Sequence, residues 1–275
     1  MHPYLNSAVA DKLCEFVRNG GKVIASFLSG SDKNGEDFVV DLFGCKMSKK
    51  QLRMKNGELA RGVMDEFHSY SDYIIPNDKI GRKLYREEYA MYCKGLECEL
   101  TKGESLTDCI LPYFYREDSE KFCSHRQTPS AGIKGTPAVV LNKNSIYFAH
   151  PVFSVYAEYG AEWIKEFFKD AMDILLPDRV LFNMGEQNLK NFVNQANEKI
   201  IHHALSYVPL KKANRIEVMD SRFPVYNNLF KLRVDKRVKS VTLQPQNQAV
   251  NFEQKDGYIS YVIPEINGYQ MVVIE

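Results

Sequence analysis

Thr136-Pro-Ala-Val-Val-Leu-Asn-Lys-Asn-Ser-Ile-Tyr-Phe-Ala-His-Pro-Val-Phe153 decides how the chain is read, together with the run from Ala161 to Leu175 behind it. Pro137 to Leu141 is a short apolar run with two β-branched residues, the composition of a strand. Asn142-Lys143-Asn144 follows, and asparagine tolerates the positive φ of a tight hairpin turn. Ser145 to His150 is a second apolar run, long enough for a buried strand. Behind it, Ile164, Phe167, Phe168, Ala171, Met172 and Leu175 recur at three- and four-residue spacing, which puts them on one helical face. Glu162, Lys165, Glu166, Lys169 and Asp173 lie mainly opposite, and Pro177 ends the helix. A layered α/β domain is expected before this point. A different kind of sequence follows it.

Upstream, Ser7 to Asn19 reads as an amphipathic helix. Val9, Leu13, Phe16 and Val17 share a face, Asn6 or Ser7 can cap the start, and Gly20-Gly21 ends it. Lys22 to Leu28 is a compact apolar strand. Helix, Gly-Gly, buried strand is the αβ half of a doubly wound unit, and the strand expected before the helix is missing. Ser29 to Glu36 is then a loop at the carboxyl end of the strand, where ligands of open α/β sheets sit, but its glycines lack phosphate-cradle spacing. Asp37 to Gly44 is expected as a short helix. Strands are expected at Tyr73 to Pro76, Tyr85 to Cys93, Glu97 to Leu100 and Leu106 to Tyr115. Arg116 to Gly135 is a polar loop.

From Asp178 onward short alternating segments take over. Asn188 to Asn194 and Ile200 to Tyr207 can pair, and further strands follow to Ile274 with turn signals such as Lys255-Asp256-Gly257 and Asn267-Gly268 between them. Such spacing without helical period means a β-sandwich. The boundary falls at Pro177-Asp178.

Composition narrows the function. Of 275 residues, 44% are apolar and 26% charged, as in globular proteins, and the net charge of +1 offers no basic field to nucleic acid or an anionic membrane. No apolar run reaches bilayer length and the N-terminus lacks a secretory pattern, so the expected location is cytoplasmic. The six cysteines, at 14, 45, 93, 98, 109 and 123, fit neither a disulfide scaffold nor a zinc ribbon. No metal and no cofactor is expected.

Candidate chemistry is sparse. Cys45 lacks the surroundings of a nucleophile elbow. Cys123 and His125 are two apart and can share a side of an extended loop, but catalytic Cys–His pairs are usually distant in sequence. His202 and His203 face opposite ways on a strand and cannot form a two-histidine metal site. More informative are Arg116, His125, Arg126 and His150 as substrate or positioning residues. His150 ends a buried strand at the ligand edge, and the other three lie in the loop leading there. The plainer alternative is that His150 and Arg126 tie down that loop through backbone carbonyls.

Several of these segments carry a resemblance. Gly20-Gly21-Lys-Val-Ile-Ala after an amphipathic helix, with Phe38 to Gly44, resembles the trimerisation domain of family-42 β-galactosidases. Pro112-Tyr-Phe-Tyr-Arg116, Phe122-Cys-Ser-His-Arg-Gln-Thr-Pro129, Pro137-Ala-Val-Val, Ile146-Tyr-Phe-Ala-His-Pro151 and Gly268-Tyr-Gln-Met-Val-Val are similar to the C-terminal half of a glycoside hydrolase group related to those enzymes and to α-L-fucosidases. The resemblance implies α/β plus all-β architecture: a truncated flavodoxin-like domain over 1–177, akin to class I glutamine amidotransferases without their Cys-His-Glu triad, then a β-sandwich over 178–275. In that group a catalytic barrel comes first. No catalytic residue maps onto this chain, which implies a non-catalytic rear segment acting in oligomerisation and support of a barrel. The partners implied are further copies of the chain or a separate barrel-bearing chain. A carbohydrate-binding sandwich, with Tyr258, Tyr261 and Tyr269 as candidates, is the alternative. An independent cysteine hydrolase is a third.

Overall fold

The computed structural model describes residues 5–53, 57–58, 60, 70–116, 121, 123, 128–186, 188–213, 216–219 and 223–275. The chain divides into two units, Met1–Pro177 and Asp178–Glu275. The first contains α1 (Ser7–Arg18), β1 (Val23–Ser26), β2 (Cys45–Met47), β3 (Tyr73–Ile74), β4 (Tyr89–Ala90), β5 (Cys98–Leu100), β6 (Glu104–Pro112), β7 (Ser130–Asn142), β8 (Ser145–Phe148), α2 (Val152–Tyr159) and α3 (Glu162–Leu175).

Six of its strands form one sheet in the order β1-β8-β7-β6-β3-β4. Only β1 and β8 run parallel; the other pairings are antiparallel. Parallel pairing, which a doubly wound unit uses throughout, is therefore confined to one edge of the sheet. The reason is local: Asn142 pairs with Ser145, leaving a two-residue connection, and so short a link can only join antiparallel neighbours. Lys143, not an asparagine, takes the positive φ of that turn, at 50°.

Both faces of this sheet are covered. Val139, Ile146 and Phe148 pack with Ile164, Phe167, Ala171 and Leu175 of α3. Val140 and Tyr147, pointing the other way, pack with Ala10 of α1 and with Ala25, Phe43, Met47 and Leu96. This alternation along β7 and β8 follows from the two-residue period of a strand. Helix α1 is capped by Asn6, whose side-chain oxygen accepts from the Val9 amide at 2.9 Å. Its Val9 and Phe16 remain 46% and 53% exposed. Helix α3 buries Ile164, Phe167, Ala171 and Leu175 of the face read from its spacing and leaves Phe168 and Met172 half-buried; it also buries Asp170, which accepts from Arg82 Nε at 2.9 Å and Nη2 at 2.7 Å.

Three local expectations fail. Strand β7 begins at Ser130, so the last six residues of the stretch read as a polar loop to Gly135 belong to the sheet, paired with β6. Residues 37–44 form a bent, irregular segment with Phe38 bridged to Ser31, rather than a helix. Phe38 instead packs edge-on against Phe43 and Tyr147, and Gly44, at φ 70°, sits so close to Gly103 that a Cβ would lie 2.6 Å from its Cα. The expected strand from Tyr85 to Cys93 shrinks to β4, paired with β3.

The second unit contains β9 (Leu181–Asn183), β10 (Leu189–Ala196), β11 (Lys199–Ser206), β12 (Leu210–Ala213), β13 (Ile216–Val218), β14 (Val225–Arg233), β15 (Val241–Gln244), β16 (Gln248–Ala249), β17 (Phe252–Lys255), β18 (Tyr258–Ile266) and β19 (Tyr269–Ile274). Two larger sheets, β10-β11-β19-β15-β16 and β17-β18-β14-β9, enclose one core. Ala204, Val241 and Val272 come from the first sheet, and Phe230, Leu232, Ile259 and Ile263 from the second. This is the sandwich that the alternating segments foretold.

Candidate functional site

His150 lies just past the carboxyl end of β8 and is 1% exposed. Its Nε2 meets Asp72 Oδ2 at 2.8 Å. Asp72 is also 1% exposed and sits one residue before β3. Its carboxylate accepts from the Gly95 amide at 3.0 Å and the Tyr115 hydroxyl at 2.9 Å. The Lys94 ammonium stands 3.8 Å from Asp72 Oδ1 and 3.3 Å from Glu97 Oε1. Lys94 is 2% exposed and also lies over the Tyr115 ring, 5.2 Å from its centre.

Local structure aims these groups at one another. Asp72 extends the β3–β4 ladder: its amide donates to Cys93 O and its carbonyl accepts from the Met91 amide. The chain leaving β4 then passes under His150, because the Leu96 amide donates to Ala149 O. Gly95 permits this approach, since a Cβ there would lie 2.8 Å from His150 Nε2.

Burial opposes ionisation of Asp72, but Lys94 and the hydrogen bonds from His150 and Gly95 outweigh it and hold the carboxyl below its ordinary value. Burial likewise opposes the Lys94 charge, and Asp72 with Glu97 outweighs it, so the ammonium is held above its ordinary value. The Tyr115 hydroxyl is pushed up, by burial first and then by Asp72, and stays neutral. Burial also raises the Cys93 thiol well above its ordinary value, and Cys109 to about 12. Thiols so placed are poor nucleophiles.

A carboxylate–imidazole pair is the orienting half of many acid–base sites. Here the atom such a site would use, His150 Nδ1, is buried and without a hydrogen-bond partner among the described residues. The arrangement acts first as a knot joining the strand ends to the β4–β5 connection. His150 makes its tie to a carboxylate, not to the backbone carbonyls of the plainer alternative. Arg116 is half-buried and adjoins Tyr115 in the chain. His125 and Arg126 lie outside the described residues. Asp72, Lys94 and Tyr115 escaped sequence reading as site residues; Lys94 and Gly95 lie between the strands expected at Tyr85 to Cys93 and Glu97 to Leu100, with nothing local to mark them. Among the described residues, no group of three or more His, Cys, Asp or Glu could hold a metal.

In the sandwich, His202 is fully buried and His203 faces outward, as strand alternation requires. His202 Nδ1 meets the Tyr261 hydroxyl at 2.7 Å and Nε2 meets Asn191 Oδ1 at 3.0 Å. Burial lowers its pKa to about 4. Tyr261 belongs to the core at 1% exposure, so it leaves the set of sugar-facing candidates; Tyr269 is 49% exposed. No helix among the described residues is long and apolar enough to cross a membrane.

No protein-family model matches the chain, and no curated protein matches it in sequence. Among solved structures, it is similar to α-L-fucosidase isoenzyme 2 from Paenibacillus thiaminolyticus, with TM-score 0.84 and 29% identity, covering 99% of this chain and 39% of that one. It also superposes on a β-galactosidase from Bacillus circulans sp. alkalophilus, with TM-score 0.54 and 12% identity over 99% of this chain and 32% of that one. A β-galactosidase from Rahnella sp. R3 gives TM-score 0.51 and 12% identity, over 98% and 31%. The two β-galactosidases share the fold alone. The chain thus spans well under half the length of the proteins it resembles, and its architecture is that of part of a glycoside hydrolase chain.

Proposed function

We propose that this chain is a non-catalytic segment of a glycoside hydrolase of the α-L-fucosidase or β-galactosidase kind, acting in assembly and in support of a catalytic barrel carried elsewhere. The observation that carries the reading is the TM-score of 0.84 over 99% of this chain against 39% of the fucosidase. Its first unit is read as the flavodoxin-like, trimerisation-type domain. The parallel β1–β8 pair and the helices on both faces of the sheet support that assignment.

Two surfaces suit an assembling role. Strand β1 is an edge of its sheet among the described residues, so its outer backbone groups are open to pairing. Val9 and Phe16, two turns apart on α1, leave apolar area in water. At ~25 cal/mol per Å², that area favours burial by a few kcal/mol before association entropy; by itself it falls short of a stable interface, so α1 would contribute to a contact that the β1 edge and further surface complete. Arg116, His125, Arg126 and His150 are assigned to positioning the loop at the strand ends, with Asp72 as the anchor of His150.

Light scattering and glycosidase assays test this together. The expected result is a mass above that of one chain, or complex formation with an added barrel-bearing chain, and no turnover of nitrophenyl α-L-fucoside or β-galactoside by this chain alone. Turnover abolished by a point mutation within the chain would overturn the non-catalytic reading. A monomer at every micromolar concentration that also ignores an added barrel would overturn the assembly role.

A further inference from the structure

The outer face of β10, β11 and β19 carries a row of rings. Phe192 pairs with His203, and His203 pairs with Met271, so the three stand in line across neighbouring strands. Tyr269 is two residues from Met271 on the same face, and its ring lies near-parallel to His203, with centres 5.9 Å apart and planes at 21°. The Tyr269 hydroxyl meets His203 Nδ1 at 2.6 Å. Phe192 is 56% exposed and Tyr269 49%. Ile201 and Val273, cross-strand partners, continue the apolar surface beside them.

The opposite sheet differs. There the Tyr258 ring carries Lys231 Nζ at 4.6 Å, and Phe182 carries Arg179 at 5.7 Å. Those ring faces already hold a cation. On the β10–β11–β19 face, the neighbouring Lys190 lies over Tyr207 at 5.2 Å.

We propose that this face is a binding platform for a neutral oligosaccharide. Sugar rings present an apolar face of C–H groups edged by hydroxyls, which matches exposed rings beside a hydrogen-bonding group. His203 supplies that group: its Nδ1 is taken by Tyr269, leaving Nε2 for a ligand hydroxyl. The His203–Tyr269 bond also fixes both side chains beforehand, reducing the entropy lost on binding. Size separates a sugar from a protein partner. Two half-exposed rings and the edges of their neighbours offer a few hundred Å², short of the roughly 800 Å² that each side of a stable protein interface presents. The proposal is independent of docking to a barrel and can fail without that reading failing.

Affinity electrophoresis of the full chain in native gels containing xyloglucan, β-1,4-galactan or galactomannan, with polygalacturonate as a charged control, tests it. Retardation by at least one neutral polymer is expected. Phe192→Ala and Tyr269→Ala should each weaken it by about tenfold. Tyr269→Phe, which keeps the ring, should lose less, and Tyr226→Ala, on the other sheet, should leave it unchanged. Titration of isotope-labelled wild-type chain with oligosaccharides of the retarding polymer should shift amides of β10, β11 and β19, which keeps the test decisive if a variant misfolds. No retardation by any neutral polymer, retardation by polygalacturonate alone, retardation that survives both alanine variants, or shifts confined elsewhere would each overturn the proposal. So would variants that lower the mass of an oligomer while leaving retardation intact.

Discussion

Asp72 and His150 meet at 2.8 Å although 78 residues separate them. Each is 1% exposed, and the carboxylate between them and Lys94 also accepts from Gly95 and Tyr115. A buried charge bound so fully is more costly to break than to keep, because its partner is then left uncompensated.

Asp72→Asn is therefore expected to destabilise the first unit by about 3–5 kcal/mol, read from the urea midpoint. Lys94→Met added to it should cost less than the sum of the two single changes, since the stranded ammonium is gone. Additive effects would show that the pair is not coupled.

The same pair sets a pH response. Asp72 is held below its ordinary value, so the stability it contributes is present above about pH 4 and is lost as pH falls through the folded value. Lys94 is held above its ordinary value, so its contribution is full below about pH 10 and is lost as pH rises through the folded value. Thermal melts across pH should show acid loss that Asp72→Asn reduces. An unchanged acid limb would contradict the assignment.

His202 responds in the opposite sense to a paired histidine. Its pKa is lowered from 6.5 to about 4, chiefly by burial. The unfolded chain thus binds the extra proton first, and stability falls as pH drops from 6.5 toward 4, by about 3 kcal/mol at most. His202→Gln should flatten that limb of the urea-stability profile for the sandwich. Tyr261→Phe, which orphans Nδ1, should cost about 1–3 kcal/mol near neutral pH.

Gly95→Ala probes packing without changing charge. The added methyl would sit 2.8 Å from His150 Nε2, an atom held by Asp72. The ring cannot swing aside without breaking that bond, so a loss of about 1–3 kcal/mol is expected in the melting profile. Gly20→Ala, whose Cβ would meet nothing within 4 Å but whose φ is +94°, gives a control for backbone strain alone.

Phe16→Asp places a charge on the exposed face of α1 and should leave the fold intact while lowering the mass seen by light scattering. Because Phe16 covers Gly21, whose Cβ would lie 2.3 Å from the ring, Phe16→Ala serves as the milder comparison. An unchanged oligomer mass in both would remove α1 from the interface.

What the amino-acid sequence determined by itself was local and periodic. The β7–β8 hairpin, most of the apolar face of α3 and the opposed directions of His202 and His203 follow from spacing, because side-chain direction repeats with the backbone; the sequence narrowed the cap of α1 to Asn6 or Ser7, and the structure chose Asn6. Tertiary structure alone decided the partners across the chain. Nothing in Tyr70-Ser71-Asp72-Tyr73 announces a buried carboxylate, and nothing in Lys94-Gly95 announces a buried ammonium beside a glycine pressed on an imidazole. Those roles exist only once β3, β8 and the β4–β5 connection are brought together. It also decided that residues 37–44 bend instead of coiling, since Phe38 and Phe43 gain more against Tyr147 than a short helix gains from its own hydrogen bonds. And it separated Tyr261, sealed in the core, from Tyr269, left on the surface: strand periodicity gives each residue a side, but only the packed sheets say which side meets water.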